Sequence, residues 1–138
     1  MASPKLARQF MEAIPHSRDL AMDLTRLEDG TAEIVMPYDD RLIGDPSTGV
    51  IAGGAVSAVL DTCCGAAVMS HPANPGGTAT IDLRINYMRA AKPGDPIRCV
   101  AECYHVTRSV AFVRATAYDA DAENPVATAS GSFTVEGT

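Results

Sequence analysis

The 138-residue chain has no excess of positive charge: 17 Asp and Glu stand against 11 Lys and Arg, for a net charge of −6. A nucleic-acid surface or a polybasic membrane anchor needs the opposite balance, so neither partner is expected. There is no Cys-x-x-Cys pair, and Cys63, Cys64, Cys99 and Cys103 show no zinc spacing with the three histidines. No metal site is therefore read from them. Such cysteines are expected to be small buried hydrophobes in a reducing, cytoplasmic compartment. No basic region followed by a continuous apolar run opens the chain, so no secretory signal is expected. Without a Gly-x-Ser-x-Gly elbow, a P-loop or a dinucleotide fingerprint, serine α/β-hydrolase and nucleotide-loop chemistries are set aside. No repeat or linker divides the chain. Its length and 46% apolar content fit one domain over residues 1–138.

Ser3-Pro4 is a helix-start signal, Leu6, Phe10 and Ile14 recur every four residues, and Pro15 ends the run. The spacing predicts a helix over 1–15. Two extended runs between Met22 and Pro37 flank Glu28-Asp29-Gly30, a hairpin signal. Pro37 to Gly49 lacks apolar period and is expected to be a loop. Gly53 to Ser70 contains no Lys, Arg or Glu, and its one charge is Asp61. A helix apolar on every side is a core helix or a membrane span. The stretch is too short and glycine-broken for a span, and Asp61 interrupts it. A central helix over 53–70, about 25 Å long, is expected to be wrapped by something. The wrapping is predicted to be β. After a turn at Pro72–Gly77, Ala79, Ile81, Leu83, Ile85 and Tyr87 alternate with polar residues and are assigned the buried face. A turn at Lys92–Pro96 precedes strands Ile97–Val106, Val110–Tyr118 and Val126–Val135. The expected class is α+β with an antiparallel sheet.

Asp61 is the sharpest chemical feature. A lone carboxylate in an apolar helix suits general-base or nucleophilic work, or it hydrogen-bonds a neighbouring strand and fixes register. Gly53-Gly54 at the helix start either exposes backbone N–H groups to a developing oxyanion or makes a sharp entry into the helix. Eight positions separate Gly53 from Asp61, about 12 Å along one helix. One helix cannot bring both to a single carbonyl, whereas two antiparallel helices of a two-fold dimer can. Arg84, Arg89, Lys92, Arg98, Arg108 and Arg114 fall within 31 positions holding only two acids. They are a phosphate-binding surface or an ordinary solvated sheet face. His16, His71 and His105 are expected in loops or on the surface.

Three stretches together resemble the PaaI-like hotdog-fold acyl-CoA thioesterases. They are Gly49-Val50-Ile51-Ala52-Gly53-Gly54, then Leu60-Asp61-Thr62, then Asp82 through Asp95 with its Asn86-Tyr87-Met88-Arg89-Ala90-Ala91-Lys92-Pro93-Gly94-Asp95 core. The resemblance implies a hotdog fold, a curved antiparallel sheet around one long helix, assembled as a homodimer or homotetramer. It implies hydrolysis of a coenzyme A thioester with no cofactor, coenzyme A being part of the substrate. Asp61 matches the helix acid, as base or nucleophile. Gly53 matches the glycine whose N–H polarises the carbonyl, with Gly54 beside it, and Thr80 matches a hydroxyl that helps place water. Coenzyme A contacts map to Asp82, Tyr87 and the hairpin His105, Val106, Thr107, Arg108, Ser109 and Val110. The family's histidine is Ala52 here, and its earlier Asn or Gln is replaced around Asp45-Pro46. These departures motivate a second reading, a non-catalytic acyl-CoA or small-ligand binding protein. A hotdog dehydratase ranks last, because no histidine accompanies the helix acid.

Overall fold

The computed structural model describes residues 4–74 and 76–136. Ser3 and the Leu6 and Phe10 side chains lie outside the described part. The first helix, α1 (Pro4–Ala13), stops before Pro15, but Pro15 then opens a second short helix, α2 (Pro15–Asp19). Proline, whose ring presets a helical φ and lacks only an N–H unused at a first position, thus restarts the chain instead of only ending a run. The hairpin forms as expected from β1 (Asp23–Glu28) and β2 (Thr31–Met36). Its turn has positive φ at Asp29 (31°) and Gly30 (94°), the conformation Asp-Gly favours. The segment expected to be a loop, Pro37 to Gly49, instead holds a 3-10 turn (Asp40–Leu42) and a strand, β3 (Ile43–Asp45), which pairs with β4 (Val50–Ile51) just beyond it. Such short strands leave no period to read. Asp39 and Asp45 shape the segment by accepting the Arg41 and Ser47 N–H groups at 2.9 and 3.0 Å.

The long helix α3 spans Gly53–Ser70, as expected, followed by β5 (Thr80–Tyr87), β6 (Ile97–Val106), β7 (Val110–Tyr118) and β8 (Ala127–Thr134). Six strands form one antiparallel sheet in the order β1-β2-β6-β7-β8-β5. α3 lies along one face, chiefly against β2, β6 and β7. Its Val56, Val59, Leu60, Cys63, Cys64, Ala67 and Val68 are buried against inward residues such as Ile34, Met36, Ile97, Val113 and Phe133. α3 is long and apolar enough on composition to cross a bilayer, and here that apolarity is matched to the sheet. The four cysteines are free and buried. Burial pushes the Cys64 thiol up to about 12, and those of Cys63, Cys99 and Cys103 upward too. Ser70 accepts the Gly30 N–H at 2.9 Å, and buried Asn74 donates to Val68 O at 3.1 Å, which fixes the far end of α3.

The edge strand β5 departs from the expected alternation. Thr80 pairs with Phe133, but the next partners are Asp82 with Ser132 and Leu83 with Gly131. Ile81 is the extra residue of a β-bulge and is 54% exposed. The bulge advances the pleat by one position. Thr80, Leu83, Ile85 and Tyr87 consequently register with Phe133, Gly131, Ala129 and Ala127 on the helix-facing side. Without the bulge Thr80 would face away from α3.

Half of the basic cluster is spent within the fold. Arg98 pairs with Glu33 at 3.1 Å and lies over Tyr118, while Arg114 pairs with Glu102 at 2.8 Å and lies over Tyr104. Arg89 reaches Asp119 through two bonds of 2.6 and 2.7 Å and also donates to Asn124 O. Asp119 is 6% exposed and accepts further bonds from the Lys92 and Asp121 N–H groups. Arg89, foremost, holds its carboxyl well below the usual carboxylate range. A depressed folded-state pKa contributes stability that is complete at neutral pH and lost as pH falls below about 4. Asp119→Asn is expected to lower Tm by about 10 °C at pH 7. Its gap to the parent should narrow below about pH 4, which melts across pH will check. A gap that widens on acidification would contradict this role.

Candidate active site

α3 and β5 run side by side in opposite directions, and this sets the site. At one end, Thr80 donates its hydroxyl proton to Asp61 Oδ1 at 2.7 Å. Asp61 is half-buried, not sunk as its apolar helix suggested. Among the described residues its Oδ2 has no hydrogen-bond partner and the carboxylate has no ion pair. One oxygen is held and the other is open, an arrangement suited to taking a proton from water. The carboxylate borders a cleft of about 220 Å³ that is also lined by Thr62, Gly65, Ala66, Met69 and Phe133.

At the other end lies the start of α3. Ala52 occupies the N-cap position with no side-chain cap bond. The Gly53 and Gly54 N–H groups donate to no acceptor among the described residues. Unused donors at the positive end of an 18-residue helix form a ready site for a partial negative charge. Tyr87, at the end of β5, donates its hydroxyl to Gly53 O at 2.7 Å and meets Ser57 Oγ. Ser57 Oγ in turn donates to Gly53 O at 3.0 Å. Two hydroxyls thus clasp one carbonyl and pin the first turn of the helix to the sheet edge. Composition gave no pointer to Ser57, because a serine in a small-residue helix looks like any other spacer.

The predicted site residues therefore fall into two groups within one chain, Asp61 with Thr80 and Gly53 with Gly54 and Tyr87. The hairpin residues Thr107, Arg108 and Ser109 are exposed at the Thr80 end. Val135 N donates to Ser109 O, Val110 registers with Thr134, and Thr134 N donates to Ala79 O. His105 stacks on Phe112, and Val106 registers with Ala111. Asp82 faces away from Asp61 and accepts from Ser132 N and Oγ, which holds the bulge. Of the six clustered cations, Arg84, Lys92 and Arg108 form no ion pair among the described residues.

A long helix cradled by a six-stranded antiparallel sheet, with an acid on the helix and a sheet-edge hydroxyl bonded to it, defines a hotdog-fold protein. Residues 48–126 match the thioesterase superfamily, and the chain belongs to that family. It is 34% identical over 124 residues to an inferred esterase of Halobacterium salinarum, VNG_1336C, spanning 84% of this chain and 81% of the relative. It is 22% identical over 143 residues to the medium/long-chain acyl-CoA thioesterase YigI of Salmonella typhimurium, spanning 94% and 91%. The Escherichia coli PaaI structure superposes with a TM-score of 0.84 at 18% identity, over 95% of this chain and 91% of that one, and so shares the fold.

Proposed function

We propose that the protein is an acyl-CoA thioesterase whose sites are shared between two subunits. The supporting observation is that Asp61–Thr80 and Gly53–Tyr87 sit at opposite ends of one edge strand. β5 carries unpaired backbone groups along its free side, and Ile81, Tyr87 and Met88 on or next to it are 54%, 49% and 59% exposed. An exposed apolar edge is a template for pairing with a second copy. A two-fold axis crossing β5 near Leu83 and Arg84 sets Thr80 opposite Tyr87 of the partner subunit. Asp61 then faces Gly53 of the partner subunit, a meeting that one chain alone does not achieve.

In this reading the thioester carbonyl oxygen accepts a hydrogen bond from the Gly53 N–H, with Gly54 beside it. A water molecule attacks the carbonyl carbon while Asp61, oriented by Thr80, takes its proton. The C–S bond then breaks and the thiolate leaves with that proton as free coenzyme A, while the acyl group leaves as its carboxylic acid. Direct attack by the Asp61 carboxylate is the covalent variant of the same geometry. The Thr107–Ser109 turn, with Arg108, offers donors for coenzyme A phosphates at the Thr80 end. No cofactor is required in this scheme, and the buried free thiols suit a reducing, cytoplasmic setting.

The test is release of free thiol from acetyl-, octanoyl-, dodecanoyl- and benzoyl-CoA. A kcat/KM above about 10⁴ M⁻¹s⁻¹ on one of them is expected. Because Ala52 stands where the family resemblance implies a histidine, the second reading is a protein that binds acyl-CoA without turning it over. Tight binding with no thiol release would establish that reading and overturn the first.

A further inference from the structure

The cleft beside Asp61 has a chemistry of its own. Among the described residues, no charged side chain other than Asp61 lines it. Thr80 holds the carboxylate, Thr62 and Thr78 also line the cleft, and the other lining residues are apolar. Asp61, Gly65 and Met69 recur every turn along one face of α3, so the cleft follows the helix for about 12 Å. It is open there because Gly65 and Ala66 are small. The opposite wall is Met11 and Ile14, from α1 and the residue joining it to α2. Those two residues lie outside the segment that matches the superfamily, 48–126. The wall is thus supplied from outside the superfamily segment.

We infer that this cleft holds the acyl group, and that Met11 and Ile14 set the longest chain it accepts. The inference rests on the thioesterase reading and names its substrate class. A volume of about 220 Å³ corresponds to roughly seven water-sized groups. It therefore fits an uncharged, unbranched acyl chain of about six to eight carbons. A dicarboxylic acyl group is disfavoured in this arrangement, since a second carboxylate would be desolvated in a mostly apolar cleft whose one charge among the described residues is the like-charged Asp61.

The test compares the parent with Ile14→Ala, Met11→Ala and Ala66→Leu. Each is assayed for kcat/KM on acetyl-, octanoyl- and dodecanoyl-CoA. Binding of the non-hydrolysable thioethers S-octyl-CoA and S-dodecyl-CoA is measured separately. Ile14 is already 36% exposed, so its truncation keeps the test readable even where loss of buried Met11 costs folding. Expected is a parent preference for octanoyl over dodecanoyl. The dodecanoyl-to-octanoyl ratio should rise about tenfold in Ile14→Ala, and the octanoyl-to-acetyl ratio should fall about tenfold in Ala66→Leu. Active enzymes with unchanged ratios would overturn the inference and leave the thioesterase reading standing. Thioether binding whose length preference shifts in the variants, with no turnover at all, would keep the subsite and overturn the hydrolase. Neither binding nor turnover in the parent would overturn both.

Discussion

Asp61→Asn is expected to slow thioester hydrolysis by about 10²- to 10⁴-fold, the usual contribution of a positioned general base. The substitution keeps the side chain's shape, and Thr80 can still donate to the retained Oδ1. What disappears is the proton acceptor at the open Oδ2. Because Asp61 is half-buried and in no ion pair among the described residues, Tm should move by no more than about 3 °C. KM should stay within a few-fold, since the loss falls on the reacting water and not on coenzyme A. Progress curves with purified parent and variant decide it. A variant within threefold of the parent would remove Asp61 from the chemistry and leave it the register-fixing partner of Thr80.

Gly53→Pro is expected to cost about 10²- to 10³-fold in kcat by deleting one oxyanion donor. The change is unusually clean at this position. Gly53 is the first helical residue, where proline is well accommodated. Ala52 already has φ −60° and ψ 137°, a conformation compatible with a following proline. No described acceptor uses the Gly53 N–H, so no internal bond is lost. Gly53→Ala is the matched control: a Cβ there meets Tyr87 at 3.5 Å, an ordinary contact, and the N–H stays. Alanine should retain most activity where proline does not. Equal losses in both would point to the shape of the glycine turn, and equal activity would take the helix start out of the mechanism.

Much of this arrangement is written locally in the chain. The bounds of α3 follow from a run of small apolar residues between glycines and Ser70-His71, and β6 and β7 are read to their ends because alternation and turn chemistry agree there. β5 is different. Its alternation places Ile81 inward, and the bulge that turns Ile81 outward and Thr80 inward depends on Asp82 bonding Ser132, 50 residues further on. A period of two carries no sign of an inserted residue whose cause lies on another strand. The Arg89–Asp119 clamp is hidden for the same reason, and with it the fact that several clustered cations are already paired. In the candidate site, Asp61 and Gly53 stand out by chemical contrast with their neighbours. Met11 and Ile14 show helical spacing, but their place above the Asp61 cleft comes from how α1 docks.

The central claim is that each site takes its acid from one subunit and its oxyanion donor from the other. The direct test is complementation between two inactive variants, Asp61→Asn and Gly53→Pro, co-expressed with different tags and purified as doubly tagged dimers. In a shared arrangement such a dimer contains one site with both defects and one intact site. It should recover about half the parent's activity, although each variant alone is inactive. Doubly tagged dimers as inactive as the separate variants would show that each chain builds its own site. Failure to obtain any doubly tagged species would show that the β5 edges do not pair.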